Sequence, residues 1–158
     1  MLTDDNIALY AFRRFGDTAL RFALCCTQHR EEAEDIAQDV FLALHQSPRA
    51  FHDEEHLKAW LLRAIRNRAR NYHKSWLKTK RITLSEQIPE EKQFTESQEM
   101  QELIFSLPER YAIVLYLYYY EGYSIGEIAS MLEEKENTIG TWLQRGRKKL
   151  AMQVKESE

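Results

Sequence analysis

The sequence predicts an all-α protein: two small helical domains joined by a flexible linker, the second built around a helix-turn-helix. Three observations predict this. Only five Gly and three Pro interrupt 158 residues, which favours long helices over a strand-rich fold. Apolar residues recur three and four apart through most of the chain, as in helices with one buried face. An acidic stretch without a clean period, carrying Pro89, separates two periodic halves. The expected units are a first domain over 1–81, an acidic linker over 82–97 and a second domain over 98–158.

The first helix is expected over residues 4–29, with a break near Gly16-Asp17. Ile7, Tyr10 and Ala11 precede the glycine, and Ala19, Leu20, Ala23 and Leu24 follow at helical spacing. Cys25 and Cys26 fall on this helix. Adjacent cysteines rarely bridge, so the pair reads as one buried side chain and one partly exposed thiol, without redox or metal chemistry. A second helix is expected from Glu31 to Gln46. Glu31, Glu32, Glu34 and Asp35 crowd its start, where the helix dipole favours negative charge. Ser47-Pro48 ends it.

A loop, Arg49 to Glu55, leads into a third helix reaching Lys78. Leu57, Leu61, Ile65, Ala69, Tyr72 and Trp76 form one apolar stripe. Arg63, Arg66, Arg70 and Lys74 step along the other side. After the linker, Met100, Leu103, Ile104 and Leu107 suggest a short helix, and Pro108 suits the first turn of the next. That next helix, 109–120, is apolar nearly all round and is expected to be central to its domain. Ser124 and Glu127 have capping-box spacing, starting a helix from Ile125 to Leu132. A last helix is expected from Asn137 to Val154, with Ile139, Leu143, Leu150 and Val154 inward and Gly146 at a close approach. Two such helices across a short turn, the second basic on its free side, make a helix-turn-helix.

Charge is arranged in blocks. The net charge of −3 argues weakly against a nucleic-acid partner. Yet Lys58 to Arg81 holds nine Lys or Arg and no acid, while Ile82 to Glu109 holds seven Glu and one Lys. A local basic stripe is what a polyanion feels within a Debye length. Solvated faces usually mix signs, so an acid-free run over several turns points to phosphate. Hydrophobic residues at 44% suffice for a packed core. No apolar run approaches the roughly 20 residues of a membrane span. The start Met1-Leu2-Thr3-Asp4-Asp5 lacks the basic flank and apolar core of a signal peptide. A cytoplasmic protein without membrane insertion is expected.

Catalytic signatures are missing from the sequence: no Ser-His-Asp order, no Gly-rich phosphate loop, no paired-cysteine metal motif. His52 and His56 have i, i+4 spacing, but the Glu that a zinc-protease motif requires directly after the first His is not there. No metal or other cofactor is expected.

Two stretches resemble the extracytoplasmic-function class of bacterial RNA polymerase sigma factors. The first is Ala33-Glu34-Asp35-Ile36-Ala37-Gln38-Asp39-Val40-Phe41, followed by Ala59-Trp60-Leu61-Leu62-Arg63-Ala64-Ile65-Arg66-Asn67. The second comprises Leu107-Pro108-Glu109-Arg110-Tyr111, Glu121-Gly122-Tyr123-Ser124-Ile125-Gly126-Glu127-Ile128-Ala129, Asn137-Thr138-Ile139 and Arg145-Gly146-Arg147-Lys148-Lys149-Leu150. Together they span nearly the whole chain except the linker.

The resemblance implies a non-catalytic specificity subunit that brings core RNA polymerase to promoter DNA. It implies that Asp35, Gln38 and Asp39, on one helix face, bind the basic clamp helices of the largest polymerase subunit. It also implies that the second domain meets the flap of the second-largest subunit. The loop Arg49 to His56 corresponds to the segment that captures a flipped base of the minus-ten element, where Phe51, His52 and His56 offer stacking surface or edge contacts. Arg63, Arg66, Asn67, Arg70 and Lys74 would face the promoter, the cations on phosphates and Asn67 able to reach a base edge. Trp60 reads equally as core packing and as a contact at the edge of the melted region.

On the last helix, Thr138, Thr141, Trp142, Arg145 and Lys148 are the minus-thirty-five candidates, with Arg147 and Lys149 as phosphate holders. An inhibitory anti-sigma partner is also implied. Departures from the family pattern cluster in this second half. Glu133 and Glu134 occupy a turn that usually carries Gly and an apolar residue, Lys135 stands where a Ser cap is usual, and Gly140 stands where a basic or polar contact residue is common. In the first half, Ala64-Ile65 inverts the usual order.

A free-standing helix-turn-helix regulator is the alternative. It explains only the last third and leaves the Asp35-Gln38-Asp39 face and the cationic helix unused. A metal-dependent nuclease and a helical adaptor explain less.

Overall fold

The computed structural model describes Leu2, residues 6–79 and residues 96–156, without the side chains of 72–79 and 96–98. Seven helices are present among the described residues: α1 Ile7–Thr27, α2 Arg30–Gln46, α3 Glu54–Thr79, α4 Glu96–Phe105, α5 Glu109–Tyr119, α6 Ile125–Leu132 and α7 Glu136–Glu156. The all-α expectation holds, and the expected linker lies outside the described residues except where α4 begins at Glu96.

α1 starts at Asn6, whose side chain accepts from the Leu9 amide at 3.2 Å. It runs through Gly16 without the expected break. Ala11, Phe15, Ala19 and Phe22 form an unbroken buried face across the glycine, and that packing outweighs a propensity penalty of about 1 kcal/mol. The helix ends at Gln28 in the left-handed region, φ 63°. α2 has no side-chain cap at His29. Glu31 and Glu32 in its first turn offset the dipole instead. Ala33, Ile36, Ala37, Val40 and Leu44 bury its inner face.

Asp53 starts α3: its side chain accepts from the His56 amide at 2.8 Å and its carbonyl from the Leu57 amide at 3.1 Å. Leu57, Leu61, Ile65 and Ala69 are buried as the apolar stripe predicts. Tyr72 and Trp76 of that stripe, and Lys74, have side chains outside the description.

In the second domain every residue from Tyr111 to Leu117 of α5 is buried, so this helix is central as expected. Pro108 stands just ahead of it as the N-cap, not within its first turn. Ser124 and Glu127 form the full capping box of α6: the Ser hydroxyl accepts from the Glu127 amide at 3.1 Å, and the Glu carboxylate accepts from the Ser amide at 3.0 Å. These bonds hold the Glu127 pKa below its ordinary value. α7 crosses α5 at Gly146, where an added Cβ would come within 3.2 Å of Leu115 Cδ1 and 3.3 Å of Tyr111 Cβ.

The two domains share one continuous core. α1 packs on α5, with the rings of Phe22 and Tyr116 6.0 Å apart. This packing corrects the reading of the cysteines: both Cys25 and Cys26 are buried. The face of α1 that would leave one thiol partly exposed is covered by the second domain. Burial pushes both thiols well above their usual pKa, with Cys26 close enough to feel Arg66 and Glu109.

Candidate polymerase and promoter interfaces

Asp35, Gln38 and Asp39 are exposed together on the outer face of α2. The same face continues to Leu42, one helical turn on, which is 53% exposed. Phe12 of α1, 58% exposed, meets the ring of Phe41 of α2 edge-on at 5.5 Å. Sequence reasoning missed Leu42 and Phe12, although Leu42 follows Asp35 by seven residues and so repeats on the same face. The combined surface offers carboxylates, an amide and two large apolar groups to a partner.

In the loop before α3, Phe51 does not have the stacking surface expected of it. It is 1% exposed, and its backbone pairs with Leu2, amide to carbonyl at 2.6 and 3.1 Å. Its ring meets Trp60 and His56 edge-on. Phe51 is therefore the plug that fixes the loop. His52 is exposed and stacks on His56, ring centroids 5.4 Å apart. The His52 amide donates to His56 Nδ1 at 3.0 Å, so that nitrogen is an acceptor already in use. Among the described residues no cluster of three His, Cys, Asp or Glu could hold a metal. Trp60 is half-buried, with the Arg49 guanidinium 5.3 Å above its ring.

The cationic side of α3 divides in two. Asn67 and Arg70 are exposed. Lys58 and Arg66 instead pack against the second domain, and Arg63, itself exposed, only touches its edge. Lys58 Nζ lies 3.2 Å from Glu121 and 3.5 Å from Glu55. Arg66 ion-pairs with Glu109. Arg63 Nη2 donates to the Ser130 hydroxyl at 3.4 Å. A signal for this contact stood in the sequence: a helix apolar nearly all round needs cover on every side, which its own domain does not supply.

On α7, Thr141, Arg145 and Lys148 are exposed along one side. Thr141 donates its hydroxyl to the Asn137 carbonyl at 2.9 Å. Thr138 is half-buried, and Trp142 is half-buried against the core. Arg147 and Lys149 lean back over α5: Arg147 donates to the Tyr119 hydroxyl, and Lys149 sits 5.7 Å from the Tyr111 ring. The turn before α7 holds Glu133 at φ 56°, ψ 45°, the left-handed cap of α6. No atom stands within 4 Å of a Cβ built on Gly140.

A first half of three packed helices and a second half with a capped helix-turn-helix is the architecture of a two-domain promoter-recognition factor. Family models agree: Sigma-70 region 2 matches residues 11–78 and Sigma-70 region 4 matches residues 97–150. The chain belongs to the sigma-70 family, in its extracytoplasmic-function class, and directs promoter recognition by RNA polymerase as a non-catalytic subunit. The ECF RNA polymerase sigma factor SigW of Bacillus subtilis (strain 168) is 28% identical, over 79% of this chain and 76% of that protein. The sigma factor RpoE of Bartonella quintana, solved in complex with the anti-sigma factor NepR, shares the fold. Its TM-score is 0.63 at 22% identity, covering 87% of this chain and 91% of that one.

Proposed function

We propose that Asp35, Gln38 and Asp39 form the core-polymerase contact, seated on the basic clamp helices of the largest subunit. Their common exposure on α2 is the observation that carries this reading. Opposite charge steers such an encounter and sets its register. Leu42 and Phe12 supply the apolar anchors that polar contacts lack. The second domain then meets the flap of the second-largest subunit.

At the promoter, Arg63, Arg66, Arg70 and Lys74 hold phosphates of the minus-ten region while Asn67 reads a base edge. His52 stacks on a flipped base, and Trp60 stands at the edge of the melted segment. Phe51 supports that loop from within. Thr141, Arg145 and Lys148 lie toward the major groove at the minus-thirty-five element, flanked by Thr138 and Trp142, with Arg147 and Lys149 on the phosphates. The protein works in the cytoplasm, where its polymerase is, and no described helix is long and apolar enough to cross a membrane. An anti-sigma protein, of the kind bound to the Bartonella relative, would cover these surfaces.

The test is reconstituted transcription with bacterial core polymerase and a library of promoter fragments. Initiation that requires both proteins, at a recurrent sequence, is the expected result. A folded protein that does not bind core polymerase would refute the reading and leave a free-standing DNA-binding regulator.

A further inference from the structure

We infer that Leu2 is a positioning residue for base capture: its pairing with Phe51 holds the loop before α3 in the register that presents His52, and so sets base preference at the minus-ten element. The inference rests on the reading of that loop as the base-capturing segment.

The loop has little else to fix it. Residues 45–50 are all exposed, and Phe51 is the one buried residue between Leu44 and Leu57. Among the described residues, the backbone of 48–52 bonds to other backbone only at Phe51, and only with Leu2. The Leu2 amide donates to the Phe51 carbonyl at 2.6 Å, and the Phe51 amide donates to the Leu2 carbonyl at 3.1 Å. Two residues that exchange both bonds form the hydrogen-bonded pair of an antiparallel ladder. The Leu2 side chain, half-buried, packs on the core and keeps the pair closed.

Register matters because neighbours in an extended chain point to opposite sides. With Phe51 paired, its ring turns inward, edge-on to His56 and Trp60 at 5.2 and 5.8 Å. His52 is then turned outward and is exposed. A slip of one residue would exchange the two, burying the histidine and exposing the phenylalanine.

The other end of the loop is tied to α3. The His52 amide donates to His56 Nδ1 at 3.0 Å, and the His56 amide donates to Asp53 Oδ1 at 2.8 Å. The His52 ring stacks on the His56 ring. Thus α3 holds one end of the capturing segment and Leu2 holds the other. A side chain that discriminates between bases has to be held within about 0.5 Å of its working position, and a loop fixed at one end only does not hold it so.

The experiment uses the full-length chain with bacterial core polymerase, transcribing a promoter library randomised at both elements. Base preference at each position is read from the transcribed sequences. Leu2→Asp places a charge where the apolar side chain packs. It is expected to lower the preference at the captured minus-ten base about fivefold or more, within the range that one base position carries. Preferences at the minus-thirty-five element and binding to core polymerase should stay as in the wild type. Leu2→Ile keeps an apolar residue suited to extended backbone and should keep the wild-type preference.

A merely structural Leu2 would instead lower transcription from all promoters alike with the preference intact, and that result overturns the inference. If Leu2→Asp does not fold, Leu2→Gln, close in size and uncharged, should lower the same preference about twofold. Unchanged preference in the variant that folds overturns the inference, and His52→Ala then shows which premise failed. Loss of preference in His52→Ala leaves a base-reading loop that Leu2 does not position. Unchanged preference in His52→Ala removes the base-capturing reading as well.

Discussion

Glu133→Gly should stabilise the protein, although it deletes a side chain. Glu133 sits at φ 56°, ψ 45°, where an L-residue with a Cβ costs roughly 1 kcal/mol or more and glycine costs nothing. The backbone bonds of the turn do not depend on the side chain: the Glu133 amide donates to the Ser130 carbonyl at 3.4 Å and the Glu134 amide to the Ala129 carbonyl at 2.9 Å. Glycine also loosens the unfolded chain, which takes back about 0.5 kcal/mol. A net gain of about 0.5–1 kcal/mol remains, or roughly 2–3 °C in midpoint for a protein of this size. Glu133→Ala is the comparison, since it removes the same carboxylate and keeps the strained backbone. Urea and thermal unfolding followed by circular dichroism measure both. A glycine variant no more stable than the alanine variant would refute the strain argument. The same two proteins separate strain from charge: each removes one negative group beside the minus-thirty-five side, so each should raise promoter affinity by a similar factor, roughly two- to fivefold.

Other outcomes follow from other sites. Asp35→Arg with Asp39→Arg should weaken core-polymerase binding at least about tenfold while the thermal midpoint stays put; unchanged affinity in a pull-down titration would remove the α2 contact. Gly140→Arg should be accommodated, since the Cβ meets nothing within 4 Å. It should gain up to about 0.8 kcal/mol of helix propensity and strengthen promoter binding, and a loss of stability in urea would show the site is not open. Leu143→Ala, at 1% exposure, should cost about 2–5 kcal/mol as read by denaturant midpoint.

Ser124→Ala should cost about 1 kcal/mol through the lost cap. The Glu127 partner of that cap has a lowered pKa, so its stabilisation is present above the ordinary glutamate value of 4.5 and is lost as pH falls through the lower folded value. Glu127→Gln should flatten the acid limb of stability against pH, and parallel curves would refute the assignment.

Local rules made much of this fold legible. Helix starts at α2, α5 and α6 followed from acids, proline and the capping box, and Gly146 sits where the spacing asked for a small residue. What stayed hidden depended on partners distant in the chain. Phe51 looks like a free aromatic in a polar loop until Leu2 pairs with it. Gly16 reads as a break because propensity is local, while the Ala11–Phe22 face that overrides it is tertiary. The acid-free run of α3 read as an open stripe. Its counter-charges, Glu109 and Glu121, lie beyond the linker, so no window along the chain sees them beside Lys58 and Arg66.

The adjacent cysteines give the protein an internal clock. Cys25 and Cys26 are buried at the seam between domains, one near Tyr120 and the other near Arg66 and Glu109. Thiols held protonated and covered react only when their cover lifts. The labelling rate by a maleimide or a disulfide reagent then counts how often that cover lifts, without any introduced probe. Polymerase, DNA or an inhibitor can each be ranked by how far it speeds or stops that count.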